Sequence, residues 1–411
     1  MQKYGLCGER LGHSYSQIIH NMLGNPEYRL MNMTRDEFRD FMKKREFCAV
    51  NVTIPYKTDA LALCDIVSDE AKMIGSVNTV VNKNGILYGY NTDIAGFIYM
   101  LESAGISVKG QKVLILGTGG TSLTAQAACD KLGAREKIVV SRNGSVNYEN
   151  VTKHSDAQII LNTTPVGMFP ENGKTPLSLD AFPQIEGVAD VIYNPETTRL
   201  LHDAKVRGLK TAGGLSMLVY QAIEADRLFF EKNGENCDVL AKKAEESIRR
   251  GVRNIILVGM PGCGKSTVGK MLAQKLDREF IDADTYIAEK FGRTPEEIII
   301  ADGEDAFRSM ETEALYDITK LSSAVIACGG GAVLREYNRY LIRQNSVCIY
   351  LERKLEKLAT GGRPLSAGGP DRLKKLYDQR DPLYREVSDF SVEIHENSGK
   401  TVDTIIERVG K

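Results

Sequence analysis

The stretch GMPGCGKS, residues 259–266, follows the pattern G-x-x-x-x-G-K-S. An apolar, strand-like run, RNIILVG (253–259), leads into it, and a helix-like run, VGKMLAQKL (268–276), leads out of it. Strand, glycine loop and helix in this order are typical of the loop that cradles the phosphates of a nucleotide. A glycine loop of a different kind, GTGGTS, lies about 140 residues earlier, at 117–122. The sequence therefore predicts two nucleotide sites of two kinds.

Length and charge narrow the class of protein. A chain of 411 residues is too long for one ordinary core, so we expect two or three domains. Its 53 basic and 54 acidic side chains nearly cancel, whereas nucleic acid and anionic membranes attract a basic excess, so we expect neither as a partner. No apolar run reaches the ~18 residues that span a bilayer, and the N-terminus lacks the apolar core of a signal peptide. We expect a cytoplasmic protein whose eight cysteines form no structural disulfide.

The first glycine loop lies inside a strand–loop–helix–strand pattern. KVLILG (112–117) and KIVVSR (137–142) are strand-like, and TAQAACDKLG (124–133) between them is helix-like. AQIILNTT (157–164) and GVADVIYN (187–194) are further strand candidates. This succession predicts an α/β fold with a mainly parallel sheet.

The composition of this loop indicates its cofactor. Gly117 permits the tight turn, and Gly119 lets the backbone approach a pyrophosphate at the N-terminus of the following helix. Ser122 stands where a third Gly or Ala is usual. The next strand ends in Ser-Arg-Asn (141–143), without the acidic residue that holds the ribose 2′-hydroxyl of NAD. An arginine suits a 2′-phosphate, which favours NADP over NAD.

A lysine and an aspartate are candidates for proton transfer. NVTIPYK (51–57) ends in Lys57, and YNTD (90–93) ends in Asp93, each just after a short strand candidate. Hydride transfer between NADP(H) and a carbonyl needs a proton partner for the oxygen. A lysine held by a carboxylate can serve as that partner, although the sequence alone does not bring these two together.

Residues 1 to about 248 resemble shikimate dehydrogenase along their whole length. The motifs that carry the resemblance are, in order, HSYS (13–16), NVTIPYK, GSVNT (75–79), NTD (91–93), GTGGTS, SRN, NTTPVGM (162–168), YNP (193–195) and GGLSMLVYQA (213–222). The resemblance implies an α/β substrate-binding domain at 1–100, completed by helices within 215–248, and a Rossmann NADP-binding domain at 101–214. It also implies that Lys57 and Asp93 form the catalytic pair.

The same resemblance implies two sets of binding residues. Shikimate contacts are implied at Ser14, Ser16, Asn51, Thr53, Lys57, Asn78, Asp93, Tyr193 and Gln221. NADP contacts are implied at Gly117, Thr118, Gly119, Gly120, Thr121, Ser141, Arg142, Asn143, Gly214 and Met217.

The chemistry of these side chains suits the implied substrate. Hydroxyls and amides match a polar triol, and alternate serines can point the same way on an extended segment to hold a carboxylate. The chain departs from the family at Arg10 and Gln17, where prolines are usual. His13 and His20, on either side of the serines, are predicted to be packing or loop residues.

The second glycine loop predicts phosphate and metal contacts. Backbone amides hold the α- and β-phosphates, Lys265 reaches the β- and γ-oxygens, and Ser266 ligates Mg²⁺. FIDAD (280–284) follows, and its Asp282 and Asp284, two residues apart, can share one face. One can hold Mg²⁺ through water while the other accepts a hydrogen bond from an acceptor hydroxyl.

Residues 251–411 resemble shikimate kinase, which implies a P-loop α/β domain with a parallel sheet. The matching motifs beyond the loop are FIDAD, FRSME (307–311), CGGGAV (328–333), GGRPL (361–365) and QRDPLY (379–384). The arginines in these motifs suit bidentate contacts with carboxylate or phosphate. Shikimate is implied between Asp284, Arg308, Gly329, Gly330, Gly331 and Arg380. ATP is implied at Gly262, Cys263, Gly264, Lys265, Ser266, Thr267 and the lid residue Arg363, with Mg²⁺ at Ser266 and Asp282 and with Lys265 and Asp284 catalytic.

Together the two resemblances imply a bifunctional enzyme of aromatic amino acid (chorismate) biosynthesis. It would reduce 3-dehydroshikimate with NADPH and phosphorylate the resulting shikimate with ATP. Two alternatives stay open: an NADP-dependent dehydrogenase fused to a different small-molecule kinase, and a non-catalytic sensor of NADP and ATP. FIDAD with its downstream arginine motifs argues against the first, and the presence of both catalytic lysines and aspartates argues against the second. The oligomeric state is left open.

Overall fold

Three β-sheets organise the described part of the chain. The structure, a computed structural model, describes residues 4–12, 14–232, 236–358 and 369–410. The chain divides into two units, Met1–Ile248 and Arg249–Lys411. The first two sheets belong to the first unit and the third sheet to the second. The predicted α/β class is confirmed for each unit.

The first sheet has six strands in the order β2-β1-β3-β5-β6-β4. They are β1 (Tyr4–Gly8), β2 (Tyr28–Asn32), β3 (Ala49–Val52), β4 (Ile66–Val67), β5 (Thr79–Lys83) and β6 (Ile86–Tyr90). Among these six, only β5 runs antiparallel to its neighbours. Asn84 and Gly85, with φ of 54° and 86°, form the tight turn that folds β5 and β6 into a hairpin.

Five helices lie within the same stretch of the chain as this sheet. They are α1 (Ser16–Met22), α2 (Arg35–Lys44), α3 (Lys57–Leu63), α4 (Asp69–Ile74) and α5 (Asp93–Ser103). The start of α2 is set by a capping box: the Thr34 side chain accepts from the Glu37 backbone N–H, and the Glu37 carboxylate accepts from the Thr34 backbone N–H. Its buried Phe38 and Met42 then pack on Val50 in the sheet.

The second sheet is wholly parallel, in the order β11-β10-β9-β7-β8. Its strands are β7 (Lys112–Leu116), β8 (Glu136–Val140), β9 (Ile159–Asn162), β10 (Gly187–Asp190) and β11 (Lys210–Gly213). The helices of this region are α6 (Gly120–Lys131), α7 (Arg199–Val206), α8 (Gly214–Phe230) and α9 (Cys237–Val252). Every residue of β7 is buried, as expected of a central strand covered on both faces.

The third sheet is also parallel, in the order β13-β14-β12-β15-β16. Its strands are β12 (Asn254–Val258), β13 (Phe280–Asp282), β14 (Val325–Ala327), β15 (Ser346–Glu352) and β16 (Phe390–Glu393). The helices are α10 (Lys265–Leu276), α11 (Ala283–Phe291), α12 (Pro295–Asp302), α13 (Glu304–Ile318), α14 (Glu336–Arg343), α15 (Gly369–Val387) and α16 (Ser398–Gly410). The central β12 leads into the loop at 259–266, so this loop opens at the carboxyl edge of the sheet.

Helix α8 connects the two sheets of the first unit. It begins directly after β11, and its Ala225 and Phe229 pack into the cluster that includes Leu6 and Tyr28 of the first sheet. It also packs along α5. A Cβ on Gly214, the first residue of α8, would lie 1.9 Å from the carbonyl oxygen of Val191. Only glycine at 214 therefore allows the first turn of α8 to lie against the Val191 carbonyl, and this contact fixes where α8 begins.

All eight cysteines are free thiols. In the parts of the chain that the structure covers, no helix combines the length and the apolar character needed to cross a membrane.

The close approach at Gly214 predicts a large stability effect. Overpacking usually costs about 1–3 kcal/mol, and backbone crowds this site, so we expect Gly214→Ala to lower the unfolding free energy of the first unit by about 3 kcal/mol or more. Gly120→Ala is the matched control, because Gly120 also begins a helix but has no atom within 4 Å of an added Cβ. Scanning calorimetry should show the first-unit transition about 6 °C or more lower for Gly214→Ala. If the two variants unfold at the same temperature, the close contact between Gly214 and Val191 does not limit the side chain at position 214.

Candidate active sites

A cavity of about 740 Å³ lies in the first unit, lined by residues that border both of its sheets. All nine residues that the sequence predicted for the substrate, and four of the ten predicted for the cofactor, line this cavity. They are Ser14, Ser16, Asn51, Thr53, Lys57, Asn78, Asp93, Gly120, Thr121, Tyr193, Gly214, Met217 and Gln221.

Lys57 and Asp93 form an ion pair at this cavity, although they are 36 residues apart. Lys57 begins α3 and Asp93 begins α5, and the lysine Nζ donates to the aspartate Oδ2 at 2.5 Å. The amide of Asn78 donates to the other oxygen, Oδ1, at 2.9 Å. Both carboxylate oxygens are therefore engaged, which fixes the lysine ammonium at the cavity wall.

Buried hydroxyls hold the amides next to this pair. The Thr79 hydroxyl donates to Asn78 Oδ1 at 2.9 Å and accepts from Asn51 Nδ2 at 3.1 Å. The Thr92 backbone N–H also donates to Asn78 Oδ1, at 2.8 Å, and the Tyr28 hydroxyl donates to Asn51 Oδ1 at 2.8 Å. The sequence reasoning missed all three of these supporting residues. The threonines lie in GSVNT and NTD, whereas no pattern indicated Tyr28.

Ser14 and Ser16 come together in a different way from that predicted. The prediction that this segment is extended is wrong, because Tyr15 has helical φ and ψ of −78° and −5° and α1 begins at Ser16. The Ser14 hydroxyl accepts from the Ser16 backbone N–H at 3.2 Å and donates to the Ser16 hydroxyl at 3.1 Å. The turn at a helix start, rather than strand alternation, brings the two hydroxyls to the cavity.

His20 is a packing residue, as predicted. It is 1% exposed and its ring stacks on Tyr28 at 3.9 Å between centroids. Burial lowers the pKa of its imidazole, even though Asp226 lies 3.9 Å away. His13, for which the sequence made the same prediction, lies outside the described residues.

The first glycine loop leaves open space at the start of α6. Gly117, with φ of 110°, donates its N–H to Val140, and α6 begins three residues later. No atom lies within 4 Å of a Cβ added to Gly119 or Gly120. Backbone N–H groups at such a helix start suit a pyrophosphate.

Six of the predicted cofactor residues lie along the glycine loop and after β8 and do not line the cavity. They are Gly117, Thr118, Gly119, Ser141, Arg142 and Asn143. Arg142 and Asn143 are exposed, and no described carboxylate forms an ion pair with Arg142.

A second cavity, of about 610 Å³, lies at the carboxyl edge of the third sheet. The predicted residues that line it are Gly262, Gly264, Lys265, Ser266, Thr267, Asp282, Asp284, Arg308, Gly329, Gly330, Gly331 and Arg380. Cys263 is fully buried in the loop beneath the cavity, and Arg363 lies outside the described residues.

Lys265 is held by backbone rather than by a carboxylate. Its Nζ donates to the carbonyl oxygens of Gly259 and Met260 at 2.9 and 3.0 Å. These carbonyls are neutral, so they orient the lysine without cancelling its charge.

Asp282 makes two kinds of contact. Its Oδ2 accepts from the Ser266 hydroxyl at 2.5 Å, and its Oδ1 accepts from the backbone N–H groups of Asp284 and Thr285 at the start of α11. A hydroxyl and a carboxylate side by side fit Mg²⁺, a hard cation that keeps water and phosphate oxygens as its other ligands.

A buried ion pair also lines this cavity. Arg308 Nη1 donates to Glu311 Oε2 at 2.8 Å, and Arg308 Nη2 donates to Glu304 at 2.8 Å. Burial raises the pKa of the Glu311 carboxyl, and the nearby Asp284 charge adds to this. Gly331 packs so closely that an added Cβ would lie 2.3 Å from the guanidinium. The sequence reasoning missed Glu311, although it ends the quoted FRSME motif one helical turn after Arg308.

Arg380, from α15, lines the same cavity. It is 3% exposed, and among the described residues its Nε makes no hydrogen bond. The second cavity thus combines a phosphate loop, a candidate metal site and two buried guanidinium groups that can hold an anionic acceptor.

Family models match both units. Residues 6–80 match the shikimate dehydrogenase substrate binding domain, and residues 261–410 match shikimate kinase.

Known proteins resemble the first unit over nearly their whole length. A shikimate dehydrogenase (NADP(+)) of Clostridium perfringens (strain 13 / Type A) is 35% identical over 269 residues, covering 60% of this chain and 97% of that protein. The crystal structure of shikimate dehydrogenase 1 from Peptoclostridium difficile is 36% identical with a TM-score of 0.54, covering 60% of this chain and 99% of that one. The Thermus thermophilus enzyme, solved with NADP(H) and shikimate, is 32% identical with a TM-score of 0.53, covering 59% and 100%. The chain therefore belongs to the shikimate dehydrogenase family and carries a shikimate kinase domain in its second unit.

Proposed function

We propose that this chain catalyses two consecutive reactions: reduction of 3-dehydroshikimate to shikimate with NADPH, then phosphorylation of shikimate by ATP to shikimate 3-phosphate. The observation that carries the proposal is the Lys57–Asp93 ion pair, which lies at a cavity that also reaches the starts of α6 and α8. Family membership supplies the reaction class, and the geometry supports roles for individual side chains.

In the first reaction, Lys57 is the proton donor. NADPH, when bound, supplies the hydride that reaches the carbonyl carbon. As the C=O bond becomes C–O⁻, the Lys57 ammonium transfers a proton to that oxygen and later regains one from solvent. Asp93 keeps the ammonium at the cavity wall, and general acid catalysis of this kind contributes roughly 10²–10⁴-fold to the rate.

The remaining polar groups of the first cavity orient the substrate. The paired hydroxyls of Ser14 and Ser16 suit its carboxylate, and the amides of Asn51, Asn78 and Gln221 suit its ring hydroxyls. Because Tyr28 and the two threonines already engage Asn51 and Asn78, these amides meet the substrate in fixed orientations.

The cofactor of the first site is proposed to be NADP rather than NAD. The support is Arg142, which is exposed just after β8, pairs with no described carboxylate and lies in a turn without an acidic residue. A guanidinium there can form a charge-assisted hydrogen bond with a 2′-phosphate.

In the second reaction, Asp284 is the proposed acceptor of the proton from the attacking shikimate hydroxyl. The oxygen then forms a bond to the γ-phosphorus of ATP as the bond to ADP breaks. Lys265 stabilises the charge on the transferring group, and Arg308 and Arg380 hold the acceptor carboxylate. Mg²⁺, when bound at Ser266 and Asp282, neutralises phosphate charge.

One experiment tests both reactions. Purified chain is incubated with 3-dehydroshikimate, NADPH and MgATP, and the products are identified by mass spectrometry. We expect shikimate 3-phosphate. If shikimate accumulates without being phosphorylated, the second unit is a kinase for a different small molecule. Assays with gluconate and quinate as phosphate acceptors would then identify that activity. No turnover of either substrate would favour the non-catalytic sensor.

The two activities should be separable by single substitutions. Lys57→Ala should lower the rate of reduction about 10²–10⁴-fold and leave phosphorylation nearly unchanged. Lys265→Ala should lower phosphorylation about 10²–10³-fold and leave reduction nearly unchanged. Each variant is the control for the other in separate NADPH-oxidation and ADP-release assays. A single variant that loses both activities while keeping its circular dichroism would contradict the assignment.

Cofactor choice should depend on Arg142. Arg142→Asp replaces an attraction for the 2′-phosphate with a repulsion, so the KM for NADPH should rise about 10–100-fold. The KM for NADH should change far less. Arg135→Asp, an exposed arginine just before β8, is the matched control and should alter neither value. Equal losses for the two cofactors would remove the basis for NADP.

A further inference from the structure

Arg353 lies beside the second glycine loop but belongs to none of the sequence motifs. It directly follows β15, which runs parallel to β12, so both strands end at the edge where the loop opens. Its Nη1 donates to the Cys263 carbonyl at 3.2 Å and lies 3.7 Å from the position of a Cβ on Gly264. It also lines the second cavity. The guanidinium is therefore in contact with the loop itself.

The charge of Arg353 is not neutralised by a carboxylate of the described residues. By contrast, Arg308 in the same cavity pairs with Glu304 and Glu311. The nearby Glu396 has a lowered pKa, chiefly because Lys357 donates to it at 2.9 Å, with a smaller effect from Arg353. Lys357 thus already engages this carboxylate, and Arg353 keeps a free positive charge at the loop.

We propose that Arg353 is a nucleotide-binding residue whose charge holds the polyphosphate chain in the loop. The inference rests on the proposed function, which makes MgATP the ligand of this loop. Loop amides hold the phosphates on the inner side, so a guanidinium that touches the loop lies within several ångströms of them. At that range, in a partly desolvated cavity, Coulomb attraction is strong. One of the five N–H donors of Arg353 is used by Cys263, which leaves others for phosphate oxygens.

The test measures binding rather than turnover. Calorimetric titrations of the full chain use MgADP and, separately, magnesium tripolyphosphate, which lacks the nucleoside. Arg353→Gln should weaken both by about tenfold, and Arg353→Lys, which keeps the charge, should recover part of the loss. The difference from wild type should shrink as NaCl is raised, because salt screens the attraction. Arg343→Gln is the control, since that arginine donates to the Glu386 carbonyl away from the cavity and should change neither affinity.

Each outcome supports or overturns the proposal. Equal affinities for wild type and Arg353→Gln overturn it. Loss for MgADP without loss for tripolyphosphate also overturns it, because the arginine would then act on the nucleoside. A salt-independent difference would show a purely structural role and refute the charge effect. If Arg353→Gln lowers the melting temperature of the second unit, the titrations are repeated with Arg353→Met, which keeps the aliphatic part of the side chain. Because no turnover is needed, a failure to phosphorylate shikimate would refute the proposed function without deciding this result.

Discussion

The arrangement of the first unit depends on the absence of a side chain at Gly214. That absence allows α8 to begin immediately after β11 with its first turn against the carbonyl of Val191. From this start α8 runs along α5, whose first residue is Asp93, and reaches the core of the first sheet through Phe229. This backbone contact therefore fixes where α8 leaves the second sheet, and α8 in turn carries Met217 and Gln221 to the cavity that contains Lys57.

The two lysines that we propose to be catalytic are held by different partners, and the difference matches their proposed tasks. Lys57 pairs with a carboxylate, which orients an ammonium that, in the proposed reaction, gives up a proton and later takes another back. Lys265 is held by the carbonyls of Gly259 and Met260. A carboxylate there would cancel the charge needed by a phosphoryl group and would repel the phosphates, whereas neutral dipoles orient the lysine without either effect.

Local patterns were predictable and distant contacts were not. GMPGCGKS and GTGGTS each predicted a strand, a loop and a helix, because backbone geometry and glycine placement are properties of neighbouring residues. The pairing of Lys57 with Asp93 needed the family resemblance, since the two are 36 positions apart and no local pattern shows that α3 and α5 begin at one cavity. The serine pair was predicted to meet on an extended segment, but Ser16 begins a helix and Ser14 bonds to its amide. The supporting roles of Tyr28 and Glu311 depend on their burial and on the residues that they contact in the fold. A short sequence motif contains neither kind of information.

Asp282 joins two requirements in one side chain: Oδ1 caps α11, which carries Asp284, and Oδ2 bonds to Ser266 at the candidate metal site. Asparagine would keep the cap but lose the negative charge. Glutamate would keep the charge, but its longer chain moves the carboxylate away from the helix amides it must reach. Very few amino acids can therefore satisfy this position. The candidate metal site and the proposed proton acceptor are therefore linked through one side chain, so substitutions at 282 and 284 should combine non-additively.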